Sequence, residues 1–307
     1  MSKVLFIVGP GRSGSTLVAE LLGQFDAIVN AGEMFWYFNK VGVVPPSRCG
    51  CGLPLGECAI WQEVIAGSPA AQNLSSDDLH DFYAMRPIAS WPKLFWQGRH
   101  GLSNAKNSRI LGQMYAALAS SSGADLVVDA SKLPGIGLVA ASIPDVDLYV
   151  LHLTRDPRSV VNAWRTPKLD VLSPSDNLGR RPAWQVIWWW VARSLAAEWL
   201  LKRRVRPGHF LRLQYEQFAD APRETIEAII QFVGVDDGGT PFSGPDQATI
   251  LPSHTVIGNP DRHSTGELTI TRRDRWRDEL PFPTRLITGL ATWPAMRWFG
   301  LGRPPSD

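Results

Sequence analysis

The segment VLFIVGPGRSGSTLVAELL, Val4 to Leu22, constrains the fold more than any other. Val4 to Val8 is a short apolar run of strand-forming residues. It breaks at a glycine turn, Gly9 to Thr16, and resumes with Leu17, Leu21 and Leu22 at helical spacing. A strand running through a glycine turn into a helix buries both its elements only inside a layered α/β protein. The pattern recurs along the chain. Asp125–Ala130, Asp147–Thr154 and His209–Tyr215 read as further strands, and Asn104–Ser121, Arg158–Trp164, Pro182–Arg204 and Pro222–Val233 as helices. Strands alternating with helices predict a central, mainly parallel sheet covered by helices on both faces, three layers in all. Ligands of such sheets bind beyond the carboxyl ends of the strands. Gly9 to Thr16, Ser131-Lys132 and Arg155 to Arg158 all follow strand ends, so one crevice can collect them.

The chain of 307 residues carries no internal repeat and no clear linker, and reads as one domain over 1–307. Two stretches interrupt the alternation. A Cys-, Pro- and Gly-rich insert covers about 39–60, and a polar, Pro-containing stretch of about 165–182 is long enough to form a lid.

The turn GPGRSGST nearly matches the phosphate loop of ATP and GTP enzymes, G-x-x-x-x-G-K-[ST], but Ser15 stands where the lysine belongs. Arg12 supplies a positive charge inside the turn instead. Backbone amides at a helix start, with the hydroxyls of Ser13, Ser15 and Thr16, make an anion site. No convincing Mg²⁺ carboxylate follows the strand ends; Asp129 is conceivable, but a lysine, Lys132, follows it closely. In LHLTRDPRSVVNAW, Asp156 can cap a helix begun by Pro157, leaving Arg155 at a strand end to face a second anion.

A formal net charge of +2 argues against bulk nucleic-acid binding. Arginines cluster locally, at Arg155, Arg158 and Arg165 and over Arg262 to Arg277, which suits a small anionic ligand. The run VLFIV is too short for a secretory signal, and no run approaches the ~20 apolar residues of a membrane span, so a cytoplasmic location is expected. Cys49, Cys51 and Cys58 are too few for a disulfide framework. They suit a metal with a fourth ligand, a local disulfide or plain packing, but no C-x-x-C pair and no partner is evident.

GRSGSTL after the first strand, DASKLP after a middle strand and LTRDPRSVVNAW after the next resemble the PAPS-dependent sulfotransferases. The likeness is to bacterial members and to the tyrosylprotein and glycan branch. FLRLQYEQFADAPRETIEAIIQFVGV, SHTVIGNPDRHSTGEL and CGCGLPLGECAIW extend it over most of the chain. The resemblance implies a P-loop-type α/β fold and transfer of a sulfuryl group from PAPS, with PAP as product and no metal required. It explains the missing lysine, because PAPS presents a 5′-phosphosulfate and a separate 3′-phosphate rather than one triphosphate. By this likeness Gly11, Arg12, Ser13, Gly14, Ser15 and Thr16 bind the 5′-phosphosulfate, and Arg155 and Arg262 the 3′-phosphate. Gly258 and Asn259 shape the second arginine's loop, and Tyr215 stands where the family places an aromatic near the adenine.

One departure concerns the serine that the family carries eight residues after the arginine of its RDPR element. Ala163 stands there, and Ser159 is the nearest substitute. For catalysis, Arg12 would stabilise the leaving phosphate, Glu33 in NAGEM would act as base, and Lys132 would assist electrostatically. His152 lies among strand residues and suits the core better than catalysis, whereas His254 could touch ligand or merely make a loop contact.

The acceptor would be a small-molecule, glycan or lipid-linked hydroxyl or amine. Among the 13 tryptophans, the run Trp188, Trp189 and Trp190 must turn at least one ring to the core and can turn another to an acceptor groove. The C-terminal LITGLATWPAMRWFG could touch a membrane surface, although Pro294 favours packing onto the domain. An atypical P-loop kinase and a non-catalytic nucleotide-binding protein are the competing readings.

Overall fold

The computed structural model describes residues 1–41, 44–99, 105–235, 239–272 and 274–301. Gly42 and Val43 of the insert, Asn104 at the head of a helix and Arg273 of the arginine cluster therefore lie outside the described residues.

Among the described residues one parallel sheet of five strands forms the centre: β1 (Ser2–Val8), β2 (Ile28–Gly32), β3 (Leu126–Lys132), β4 (Val146–Thr154) and β5 (Phe210–Gln214). They lie in the order β2-β3-β1-β4-β5. The register sets Val4 beside Val127 on one side and beside Leu148 on the other. Strand β1 is central, and both its faces are covered. Val4, Phe6 and Val8 enter one core with Phe35, Trp61 and Leu111, while Leu5 and Ile7 enter the other with Val18, Leu21 and Phe218. This two-sided burial is why the strand reads as a continuous apolar run rather than an alternation.

The helices on the two faces include Ser15–Leu22, Ala59–Ala66, Ala105–Ser122, Pro134–Ala140 and Pro222–Val233. A third cluster joins Pro157–Arg165, Ala183–Ala196 and Phe282–Phe299 through Val160, Val161, Trp190, Met296 and Phe299. An antiparallel pair, β6 (Gln247–Ile250) and β7 (Gly266–Thr269), lies apart from the sheet.

Three features go beyond or differ from the sequence reading. Strand β2 was not legible, since IVNAG carries an asparagine and a glycine in a five-residue edge position. The helix expected over 182–204 stops being regular at Ala196 and passes into a wider turn over Ala197–Leu201, where Lys202 N donates to Ala197 O at 2.9 Å. The stretch after Arg165 is held by specific contacts in this structure. Lys168 and Leu178 pair as an antiparallel bridge, and Asp170, Ser173 and Asp176 are buried. It rests on the insert, with Ser47 Oγ donating to Asp176 at 2.6 Å, Arg48 N to Ser173 Oγ at 2.8 Å and Lys40 Nζ paired with Asp176 at 2.9 Å.

His152 is a core residue of β4, with Nδ1 2.9 Å from Glu198 Oε1, and burial lowers its pKa. The helix Phe282–Phe299 buries Thr288, Thr292, Met296 and Phe299 and leaves Leu286, Ile287, Leu290 and Trp293 exposed. Among the described residues no helix is long and apolar enough to cross a membrane.

Candidate active site

Because all five strands run parallel, their carboxyl ends share one edge, and the strand order becomes a spatial order of side chains. Glu33 follows β2, Lys132 ends β3, the turn Gly9–Thr16 follows β1, Arg155 follows β4 and Tyr215 follows β5. Carboxylate and lysine thus stand on one side of the glycine turn, and the second arginine and the aromatic ring on the other.

Arg12 and Lys132 are the non-glycine residues with positive φ among those described, at 70° and 66°. Such a conformation costs on the order of 1–3 kcal/mol and persists only where surrounding structure enforces it. Both residues sit at the ends of adjacent strands, β1 and β3. Gly14, with φ 88°, turns the chain into the helix Ser15–Leu22, and any Cβ there would overlap the Tyr215 ring. Ser13 and Ser15 are buried, and Thr16 Oγ1 accepts from Asn259 N at 3.2 Å, which ties the later loop to this helix.

Arg155 Nη1 donates to Arg12 O at 3.0 Å, and its guanidinium lies 4.3 Å from the Tyr215 ring centre. Trp190, the buried member of the tryptophan run, donates Nε1 to Arg155 O at 2.9 Å. Asp156 does not neutralise Arg155. It caps its helix by accepting from Arg158 N at 2.8 Å and binds the Arg158 side chain. Arg12 Nη2 donates to Ala163 O at 3.0 Å, beneath the Trp164 ring. Burial lowers the Arg12 pKa, Asp261 opposes that shift and Arg155 adds to it.

Arg193 was missed in the sequence. It extends from the tryptophan helix over Trp189, 5.3 Å from the ring centre, and its Nη1 comes within 3.8 Å of where a Gly11 Cβ would lie. Burial pushes its pKa down to about 10 against the opposing pull of Glu33. Its position four residues after Trp189 and three after Trp190 was the available signal, since helical spacing puts it on the face that holds Arg155.

Buried Arg12 Nη1, Ser13 Oγ, Arg155 Nε and Arg193 Nε have no hydrogen-bond partner among the described residues. An unmet buried donor costs about 1–3 kcal/mol, and three of these carry positive charge. Gathered around one helix start, they form a donor set suited to a multiply charged anion.

On the other side, Lys132 Nζ forms an ion pair with Glu33. Glu33 N donates to Ile257 O at 3.0 Å, so the residue is fixed from the later loop as well. Asp129 is fully buried under this pair and accepts from Tyr115 Oη at 2.7 Å and from Ser131 N at 2.8 Å. Desolvation raises its pKa to about 6. Its hydrogen bonds shape the turn carrying Lys132, and they leave it poorly placed to serve as a Mg²⁺ ligand.

Ser159 is buried in the first turn of Pro157–Arg165, and Asn259 leaves its Oδ1 unpartnered near the glycine turn. Arg262 departs from its expected place. Its guanidinium is buried against Asp176 at 2.9 Å and Asp170 at 3.2 Å, and Nη1 donates to Gly258 O at 3.3 Å. Two carboxylates meet its charge, and it locks the 170–176 segment to the Gly258–Asn259 loop, while its Nε has no partner among the described residues.

The profile of the sulfotransferase family matches residues 67–238. Among solved structures, the sulfotransferase domain of the Synechococcus PCC 7002 olefin synthase is 19% identical, with 99% of this chain and 96% of that one covered and a TM-score of 0.53. The sulfotransferase domain from the curacin biosynthetic pathway is 17% identical, with 99% of each chain covered and a TM-score of 0.55. At that identity the likeness is one of fold: the same P-loop-type α/β arrangement. No curated protein matches the chain.

Proposed function

This chain belongs to the sulfotransferase family, and we propose that it transfers a sulfuryl group from PAPS to the hydroxyl or amine of a small-molecule, glycan or lipid-linked acceptor. The observation that carries this reading is the set of unpartnered buried donors on Arg12, Ser13, Arg155 and Arg193, gathered beside a Glu33–Lys132 pair. PAPS supplies an activated sulfuryl group on a phosphate that leaves as PAP.

Arg12, the amides of Gly11 to Thr16 and the hydroxyls of Ser13, Ser15 and Thr16 hold the 5′-phosphosulfate. Arg12 meets the negative charge that builds on the bridging oxygen as the sulfur–oxygen bond breaks. Such preorganised donors are commonly worth ~10²–10³ in rate each. Arg155 holds the 3′-phosphate, with Ser159 beside it on the helix start and Tyr215 and Asn259 bordering the nucleotide. Glu33 takes the proton of the acceptor as its oxygen or nitrogen bonds to sulfur. Lys132 orients Glu33 before transfer and offsets charge on the sulfuryl oxygens during it. Arg193, between the turn and Glu33, adds a second cation where the two halves of the site meet.

Calorimetry with PAP, ATP and GTP, each with and without Mg²⁺, tests the reading. Tight PAP binding that needs no Mg²⁺ is expected. A preference for ATP with Mg²⁺ would replace it with a kinase.

A further inference from the structure

The three cysteines and His254 form a second cluster, outside the proposed transfer site. Cys49 and Cys58 are buried, and Cys51 is half-buried. His254 Nδ1 lies 3.3 Å from Cys58 Sγ and 4.0 Å from Cys49 Sγ, and Cys51 Sγ lies 3.9 Å from Cys58 Sγ. All four donor atoms fall within 4.8 Å of one another. A tetrahedral zinc with bonds of about 2.3 Å to sulfur and about 2.0 Å to nitrogen has edges of about 3.8 Å between sulfurs and about 3.5 Å between sulfur and nitrogen. The separations of His254 Nδ1 from Cys58 and Cys49, 3.3 and 4.0 Å, lie on either side of the sulfur–nitrogen edge, and the Cys51–Cys58 separation of 3.9 Å is close to the sulfur–sulfur edge. A disulfide needs sulfurs about 2.05 Å apart and uses two of the three thiols; it accounts for neither the third cysteine nor the imidazole.

The backbone is built to bring these groups together. A Cβ at Gly50, between the first two cysteines, would come within 2.6 Å of Ser253 O, so only glycine lets that turn press against the segment bearing His254. Gly50 N donates to Thr255 O at 3.0 Å and closes the same contact. Cys58 stands immediately before the helix Ala59–Ala66, whose free amide end favours a thiolate. Trp61 of that helix donates Nε1 to His254 O at 2.8 Å and fixes the histidine from behind.

We propose that Cys49, Cys51, Cys58 and His254 bind one structural zinc ion. Three thiolates and an imidazole, all four positions supplied by protein, match a closed structural site rather than a catalytic one that keeps a position open. Binding releases the protons of those thiols still protonated. The metal would join the insert to the segment 253–258. From there Val256 N donates to Ala31 O at 3.1 Å, and Ile257 O holds Glu33. The insert and the turn carrying the proposed base would thereby share one anchor.

The test uses tag-free full-length protein purified without chelator. Elemental analysis should find about one zinc per chain, retained through dialysis and released when a mercurial blocks the thiols. Protein stripped of metal and titrated with Co²⁺ should show thiolate-to-cobalt charge transfer in the near ultraviolet and the intense visible bands of tetrahedral cobalt. Cys49→Ser and His254→Ala should each weaken Co²⁺ binding at least tenfold; if either fails to fold, the wild-type titration decides. Sub-stoichiometric zinc with a pale octahedral cobalt spectrum would overturn the site, as would a Cys51–Cys58 disulfide in freshly purified protein.

Discussion

Tyr215 fills the space that a side chain at Gly14 would need, and the same ring supports the guanidinium of Arg155 at 4.3 Å. One aromatic residue after β5 therefore spaces the turn after β1 from the arginine after β4.

Gly14→Ala forces a Cβ into that ring at φ 88°. A left-handed conformation alone costs an L-residue about 1–2 kcal/mol, and the displaced ring unseats Arg155. PAP affinity should fall at least tenfold by calorimetry while circular dichroism stays near wild type. Gly14→Ala with Tyr215→Ala should relieve the overlap without restoring full affinity, because Arg155 then lacks its support.

Glu33→Gln keeps the shape of the proposed base and removes its capacity to take a proton. Turnover of an unactivated alcohol should drop by ~10²–10⁴, with PAP affinity within a few-fold of wild type. A phenol of low pKa should recover much of the loss, since it gives up its proton with little help. Unchanged turnover would move the base elsewhere.

Arg193→Ala should lower kcat by ~10²–10³, and Arg193→Lys should recover part of it. Steady-state kinetics against PAPS and acceptor separately will show whether kcat or KM carries the change. A variant with wild-type kcat would leave Arg193 as a packing residue on Trp189.

Arg262→Met breaks a buried pairing with two carboxylates, and removing one partner of such a pair costs about 3–5 kcal/mol. The melting temperature should fall clearly, and PAP affinity measured well below it should hold within a few-fold. Loss of affinity at unchanged melting temperature would return Arg262 to the 3′-phosphate.

Glu20, buried in the helix Ser15–Leu22, accepts from Ser253 Oγ at 2.8 Å, and burial raises its pKa to about 7 from an ordinary 4.5. A raised carboxyl contributes stability that is complete below the unfolded pKa and is lost as pH rises through the folded one. Stability should therefore decline between about pH 4.5 and 7 on this account. Glu20→Gln should flatten that part of the profile and stabilise the protein at pH 8 by up to about 3 kcal/mol. Denaturant titrations across the range measure both.

The strands with continuous apolar character were legible because both faces of the sheet are covered, which leaves no polar alternation to confuse the reading. Strand β2 was not, since its identity comes from pairing with β3 rather than from IVNAG itself. The glycine turn, Arg155 and the Asp156 cap follow from local rules and stand where those rules put them. Arg262 and Arg193 depended on distant partners. Nothing in GNPDR announces Asp170 and Asp176, and nothing beside Arg193 names Glu33. The same holds for His254, which is 196 positions from Cys58 and meets it only after folding.

The strand order has a consequence for how such a chain can change its chemistry. The groups proposed to hold the nucleotide follow β1, β4 and β5, while Glu33 follows β2 and Lys132 ends β3. Between Gly32 and Leu126 the described residues are irregular or helical and add no strand to the central sheet. Within it, Lys40, Ser47 and Arg48 hold the 170–176 segment, so the part free to vary without moving the proposed donor half is the part beyond the insert. On the proposed reading, selection for a new acceptor has the stretch after the insert to work on, which contributes none of the groups assigned to the donor.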